Sequence, residues 1–223
     1  MNIREYPDRE MMYLALANVI AGQLGEFLRR DGRATFSVPG GTTPGPVFDT
    51  LSGVALDWAN VAVLLNDERW VSGDSPRSNT RLLRERLLVG PAAAARLVPL
   101  HADTATPEES LEALAAGIAP HLPISVLLLG MGADMHTASL FPGADRLAEA
   151  LSPTAPVLMA LRSQAAGEPR ITLTLPVLRG AMHVHLLITG AEKRTALERA
   201  QSLPPERAPV RAILDNATIH WAE

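Results

Sequence analysis

An aspartate and a histidine two positions apart, Asp134 and His136, follow an apolar run that breaks at Gly130-Met131-Gly132. The segment from Leu127 to Gly143 reads as a buried strand ending in a tight turn, the place where α/β proteins display reactive side chains. An imidazole that titrates near neutrality can take a proton from water and return it to a leaving oxygen. A carboxylate beside it can fix the tautomer and favour the imidazolium as charge develops. Standing alone, such a pair is more often a turn with a hydrogen-bonded structural histidine. Of the other histidines, His101 and His121 fall at loop or helix ends, and His183, His185 and His220 fall within strands, where a structural hydrogen bond is the expected role.

Three further strand ends carry groups suited to an anion. In Ser37-Val38-Pro39-Gly40-Gly41-Thr42-Thr43-Pro44, two glycines allow close backbone approach, two hydroxyls can donate, and a following helix start offers free N–H groups. The Lys-Ser/Thr ending of a P-loop is missing, and an ordinary Gly-Pro turn is the alternative. In Asn66-Asp67-Glu68-Arg69-Trp70-Val71, Arg69 presents a planar fork matched to phosphate, with two acids to orient it or to bind sugar hydroxyls. The alternative is a solvated run of internal ion pairs, and Ser78 is expected to cap a helix. In Thr189-Gly190-Ala191-Glu192-Lys193, a lysine in a first helical turn opposes the macrodipole, which makes sense beside a bound anion. It reads otherwise as an exposed lysine next to Glu192. Arg162 and Arg170 flank a polar loop, and Arg170 is either a second phosphate cation or a strand-edge charge. Thr137 and Ser139 are candidate helix caps, and Leu140-Phe141-Pro142 a packing plug.

The elements that must position these groups alternate between short apolar strands and amphipathic helices, the pattern of a mostly parallel sheet covered on both faces. Asp8 caps a helix expected over Arg9 to Arg30, stopped by Asp31-Gly32. Strands are expected over Ala34 to Val38, Val61 to Leu65, Ile124 to Leu129, Pro156 to Leu161, His183 to Thr189 and Ile219 to Trp221. Ile171 to Leu175 alternates as a half-buried strand would. Helical patterns cover Ser78 to Leu88, Glu108 to His121, Glu192 to Ala200 and Val210 to Leu214, and the Ala92 to Ala95 run reads as a helix turn. The Pro-rich stretch Leu203 to Pro209 reads as a loop.

With 223 residues, 47% hydrophobic and 20% charged, the chain can bury a core as one large domain or two closely packed halves. A net charge of −4 is no footprint for a nucleic-acid binder, so an anionic ligand must be held by a few local cations. The absence of cysteine excludes disulfides, thiolate metal sites and thiol nucleophiles. The N-terminus lacks the pattern of a signal peptide, and the run Ile124 to Ala133 is well short of the roughly 18 residues that span a bilayer. The expectation is a cytoplasmic protein with no membrane or nucleic-acid partner.

The set Pro39-Gly40-Gly41-Thr42-Thr43-Pro44, Asp67-Glu68-Arg69-Trp70-Val71 with Ser78-Asn79, Gly130 to Gly143, Arg170-Ile171-Thr172-Leu173-Thr174 and Gly190-Ala191-Glu192-Lys193 resembles the 6-phosphogluconolactonase family. The motifs run in the family's order across nearly the whole chain, which makes residues 1–223 one domain. The resemblance implies a three-layer α/β/α sandwich related to glucosamine-6-phosphate deaminase and ribose-5-phosphate isomerase. It implies hydrolysis of 6-phospho-D-glucono-1,5-lactone in the oxidative pentose phosphate route, with no metal or organic cofactor and no obligate protein partner. By motif match, His136 is the general base and Asp134 its partner, while Gly40, Gly41, Thr42, Thr43, Arg69, Arg170 and Lys193 line the phosphate and sugar pocket. One departure stands out: the family pattern has glycine between the acid and the histidine, where this chain has Met135, so Met135 is expected at negative φ. A deaminase or isomerase of amino-sugar phosphates would show a Phe-Asn-Glu-Pro-like stretch in place of Ser139-Leu140-Phe141-Pro142, and a non-catalytic sugar-phosphate sensor would not need the base.

Overall fold

The computed structural model describes residues 1–223. In chain order the elements are β1 (Asn2–Glu5), α1 (Arg9–Asp31), β2 (Ala34–Val38), α2 (Gly45–Ser52), β3 (Val61–Leu65), β4 (Asp67–Arg69), α3 (Asn79–Arg86) and β5 (Arg96–Val98). There follow α4 (Leu111–Ile118), β6 (Val126–Gly130), α5 (Leu147–Ala150), β7 (Leu158–Leu161), β8 (Arg170–Leu173), α6 (Leu175–Arg179), β9 (His183–Thr189), α7 (Gly190–Ala200) and β10 (Ala217–Ala222). Seven strands form one sheet in the order β1-β10-β9-β6-β2-β3-β5, every neighbouring pair parallel. Every residue of β2 and β3 is buried, as a sheet flanked by helices on both faces requires. A second, antiparallel sheet, β4-β8-β7, stands apart from the first.

Local chemistry sets the main boundaries. The Asp8 side chain accepts a hydrogen bond from the Met11 N–H at 2.8 Å to start α1, and Gly32 ends it at φ 69°. By length and composition α1 is apolar enough to cross a membrane. Here Met12, Leu16, Ile20 and Leu24 are fully buried in the core that also takes in β2 and β10. Ser78 caps α3, its hydroxyl accepting from the Arg81 N–H.

Several expectations are corrected. The short strands β1, β4 and β5 carry too few residues for a periodic signal, and pairing with a neighbour is what makes them strands. Residues Arg170–Leu173 are all buried rather than alternating, because β8 lies between β4 and β7 with the core behind it. The helical stretch over Glu108 to His121 is α4 flanked by single 3-10 turns, Pro107–Ser110 and Ala119–His121, each with proline near its start. Pro209–Ile213 is likewise a 3-10 turn.

Candidate active site

Strand ends from both sheets converge on a cavity of about 440 Å³. The exit of β2 supplies Gly40, Gly41, Thr42 and Thr43; β4 supplies Asp67 and Arg69; the turn after β6 supplies Gly132 and His136; β8 supplies Arg170, and the first turn of α7 supplies Lys193. Asp134 stands behind His136 and does not line the cavity. Both 440 Å³ and the mixed lining suit a small polar ligand.

One wall carries the acid–imidazole pair. The His136 Nδ1–H donates to Asp134 Oδ1 at 2.5 Å, and the same oxygen accepts the His136 backbone N–H at 3.2 Å. With Nδ1 engaged, Nε2 is left without a protein partner. Phe141 stacks on the imidazole with ring centroids 4.2 Å apart, holding it from the other side. Burial would raise the Asp134 carboxyl, but the hydrogen bond and charge of His136 outweigh it and hold its pKa below the ordinary value. Gly132 is needed beneath this pair: a Cβ there would lie 2.2 Å from His136 Nδ1 and 2.3 Å from Asp134 Oδ1. Thr137 and Ser139 cap no helix. The Thr137 hydroxyl donates to the Gly130 carbonyl at 2.9 Å, closing the turn, and the Ser139 hydroxyl donates to Asp67 at 2.5 Å.

The expectation for Met135 is overturned. Its φ is 68°, left-handed, and Ala138 is also left-handed at 49°. The turn has to reverse in three residues to bring the Gly132 N–H to the His136 carbonyl and the Met135 N–H to the Gly132 carbonyl. That reversal demands positive φ whatever residue is present.

The other wall is cationic. In the β4-β8 ladder, Arg69 stands directly opposite Arg170, and like charges so placed repel unless an anion lies between them. Each keeps a buried Nε–H without a partner, although Arg69 donates to the Arg77 carbonyl at 2.6 Å and Arg170 lies 3.8 Å from Asp67 and 3.4 Å from Glu168. Burial lowers the affinity of Arg170 for its proton, against the pull of Asp67. Lys193 donates to the Met131 carbonyl, and burial lowers its pKa against the opposing charges of Asp134 and Glu192. The Gly-Gly turn closes against this wall: Gly41 has φ 83°, and a Cβ on Gly40 would overlap the Asn79 amide at 1.9 Å.

Asp67 and Glu68 are not a solvated surface run. Glu68 is 1% exposed and accepts hydrogen bonds from the backbone N–H groups of Arg69, Asn79 and Thr80 and from the Ser78 and Thr80 hydroxyls. It thereby ties β4 to the start of α3. Burial raises the pKa of Asp67 despite Ser139 and Arg170. Asp67 lines the cavity, one of the two acids expected to orient Arg69 or to bind sugar hydroxyls; Asn79 and Phe141 line it although no sequence feature assigned either to the site. Nothing in the sequence shows that Phe141 stacks on His136. Arg162, by contrast, points away into an exposed ion pair with Glu108 at 2.6 Å.

Residues 7–221 match the model of a family described as glucosamine-6-phosphate isomerases/6-phosphogluconolactonase. The chain belongs to this family. A 6-phosphogluconolactonase of Mesorhizobium japonicum is 41% identical over 99% of this chain and 95% of its own length, and one of Pseudomonas aeruginosa is 42% identical over 92% and 88%. The crystal structure of a 6-phosphogluconolactonase from Shewanella baltica superposes with a TM-score of 0.97 at 31% identity, covering 100% of this chain and 98% of that one. The family's fold extends to a monomeric glucosamine-6-phosphate deaminase, with a TM-score of 0.80 at 16% identity and coverage of 99% and 97%. The sheet and its flanking helices are thus those of the α/β/α fold that the sequence led one to expect.

Proposed function

We propose that the chain hydrolyses 6-phospho-D-glucono-1,5-lactone to 6-phospho-D-gluconate, with His136 as the general base that activates water. The observation that carries this reading is the pairing of a base with an anion site across one cavity: His136 has Nδ1 on Asp134 and Nε2 free, and faces a wall where Arg69 and Arg170 stand opposed. Attack on the lactone carbonyl forms a tetrahedral oxyanion, and cleavage of the ring C–O bond returns the proton to the departing hydroxyl. Asp134 stabilises the imidazolium formed in between. The Gly40–Thr43 turn, Arg69, Arg170 and Lys193 hold the phosphate, which fixes the distant carbonyl relative to His136 and turns binding energy into rate. Residues 1–223 act as one catalytic domain, which the single core running from Met12 to Ala222 supports. The cytoplasm is its place of action, in keeping with α1 being a core helix.

His136→Ala is expected to lower kcat by roughly 10²–10⁴ while leaving the affinity for 6-phosphogluconate largely intact. Steady-state kinetics with freshly prepared lactone, set beside product binding, makes the check; near-normal turnover removes His136 from the role of base. Ammonia release from glucosamine 6-phosphate would instead mark the deaminase activity of the wider family.

A further inference from the structure

The side chain that joins the two walls of the cavity is Phe141. Its ring lies 4.2 Å from the His136 imidazole, centroid to centroid and tilted by 28°, and the Arg170 guanidinium carbon lies 5.5 Å from the same centroid. Phe141 is buried, and two anchors just before it fix its place. The Ser139 hydroxyl donates to Asp67 on β4, and the Ser139 N–H donates to the Thr172 hydroxyl on β8 at 3.2 Å. Base and cation therefore meet one fixed apolar plate, which leaves the imidazole and the guanidinium no more than about 10 Å apart, the order of one Debye length.

Arg170 is short of negative charge. Asp67 stands 3.8 Å away and Glu168 3.4 Å, but Glu168 also serves Arg77 at 2.6 Å, and Arg69 adds a second guanidinium across the ladder. The Arg170 Nε–H stays buried without a partner. An aromatic face attracts a cation within about 6 Å of its centroid, so Arg170 draws on the Phe141 ring. An imidazolium, which His136 becomes on taking the proton of the attacking water, would rest on that same ring. The uncompensated charge of Arg170 opposes this imidazolium across a buried side chain that screens little, and a phosphate on Arg170 removes the opposition. We propose that Phe141 is a positioning residue that couples the two walls: phosphate held at Arg170 speeds proton uptake by His136, in addition to anchoring the substrate. The coupling rests on the lactonase reading, and it makes phosphate an activator even when it is not attached to the lactone.

The experiment separates activation from anchoring by supplying the two halves of the substrate as two molecules. Hydrolysis of glucono-1,5-lactone, which carries no phosphate, is followed with and without inorganic phosphate at saturation as set by calorimetry, over the rate without protein at the same phosphate concentration. Phosphate is expected to raise turnover about three- to thirtyfold, the span of one cation–π contact. Phe141→Leu is expected to keep the phosphate Kd within about twofold, since the arginines and Lys193 are untouched, yet to be activated less than about twofold. Phe141→Tyr, which keeps the ring, is expected to restore the activation. Phosphate that binds the parent without raising turnover overturns the coupling, as does activation of Phe141→Leu equal to the parent's, or activation lost equally in both variants. Should Phe141→Leu fail to fold, the parent and Phe141→Tyr carry the test. Failure of the lactonase reading looks different: phosphate does not bind, or His136→Ala hydrolyses the phosphorylated lactone as fast as the parent.

Discussion

Met135 pays for a left-handed backbone that glycine would adopt freely, and it recovers the cost in the core. The conformation costs about 1–2 kcal/mol for a residue with a side chain. The thioether is 8% exposed and belongs to the main hydrophobic cluster, and burial of such a side chain is worth about 1.5–3 kcal/mol. Ala138, left-handed too, has only a methyl group to offer. The two positions should therefore respond oppositely to glycine. Met135→Gly is expected to destabilise by about 1–3 kcal/mol, because the lost core contacts outweigh the relieved strain. Ala138→Gly is expected to stabilise by about 0.5–1 kcal/mol. Urea unfolding of both variants provides the measurement, and stabilisation of the first would show that the side chain contributes little to the core.

Between elements, a chain of hydrogen bonds links α1, β9 and β10 to Tyr6, the residue that follows β1. Gln23 Oε1 accepts from His185 Nε2–H at 2.8 Å, so His185 Nδ1 is bare and accepts from His220 Nε2–H at 3.1 Å. His220 Nδ1 then accepts from the Tyr6 hydroxyl at 2.8 Å. The chain runs in this direction while both imidazoles are neutral, and adding a proton to His185 sets its Nδ1–H against the His220 Nε2–H. Burial, reinforced by neighbouring positive charge, lowers the pKa of His185 to about 4 and that of His220 to about 3. In the unfolded chain both titrate near 6.5, so the unfolded state binds more protons below that pH and stability falls as pH drops from about 6.5 toward 4. Between pH 7.5 and 5 the loss from the pair is expected to be of order 2–4 kcal/mol. Denaturant melts across this range make the comparison, and His185→Asn should flatten the dependence while lowering stability at neutral pH.

For the molecule as a whole, the cavity that holds His136 and Arg69 has no existence apart from the tertiary fold, because its walls come from segments between Pro39 and Lys193 on two different sheets. A ligand that bridges these walls binds only the folded chain. Saturation with 6-phosphogluconate at about 100 times its Kd should add about 2.7 kcal/mol, a rise in Tm of roughly 5–10 °C. Arg69→Ala should shrink that rise at the same ligand concentration and raise KM for the lactone, with a smaller effect on kcat. An unchanged ligand shift in a thermal melt of that variant would take Arg69 out of the phosphate site.

The amino-acid sequence alone carried the strands from Ala34, Val61 and His183, the start and stop of α1 and the order of the strand-end motifs, because these depend on local periodicity, capping groups and residue type. It also named His136, Arg69, Arg170, Lys193 and the Gly40–Thr43 turn, all of which line one cavity. Tertiary structure decided what depends on neighbours distant along the chain. The three- and four-residue strands β1, β4 and β5 exist through their partners, and β4 brings Arg69 against Arg170, about 100 residues later. Asp67 and Glu68 changed from surface acids to buried ones because Ser139, Arg170 and the start of α3 come to meet them. Met135 shows the same limit at one residue: its side chain type argues for negative φ, but the hydrogen bonds of the turn and the core beyond it fix the backbone, and local preference yields when packing offsets its cost.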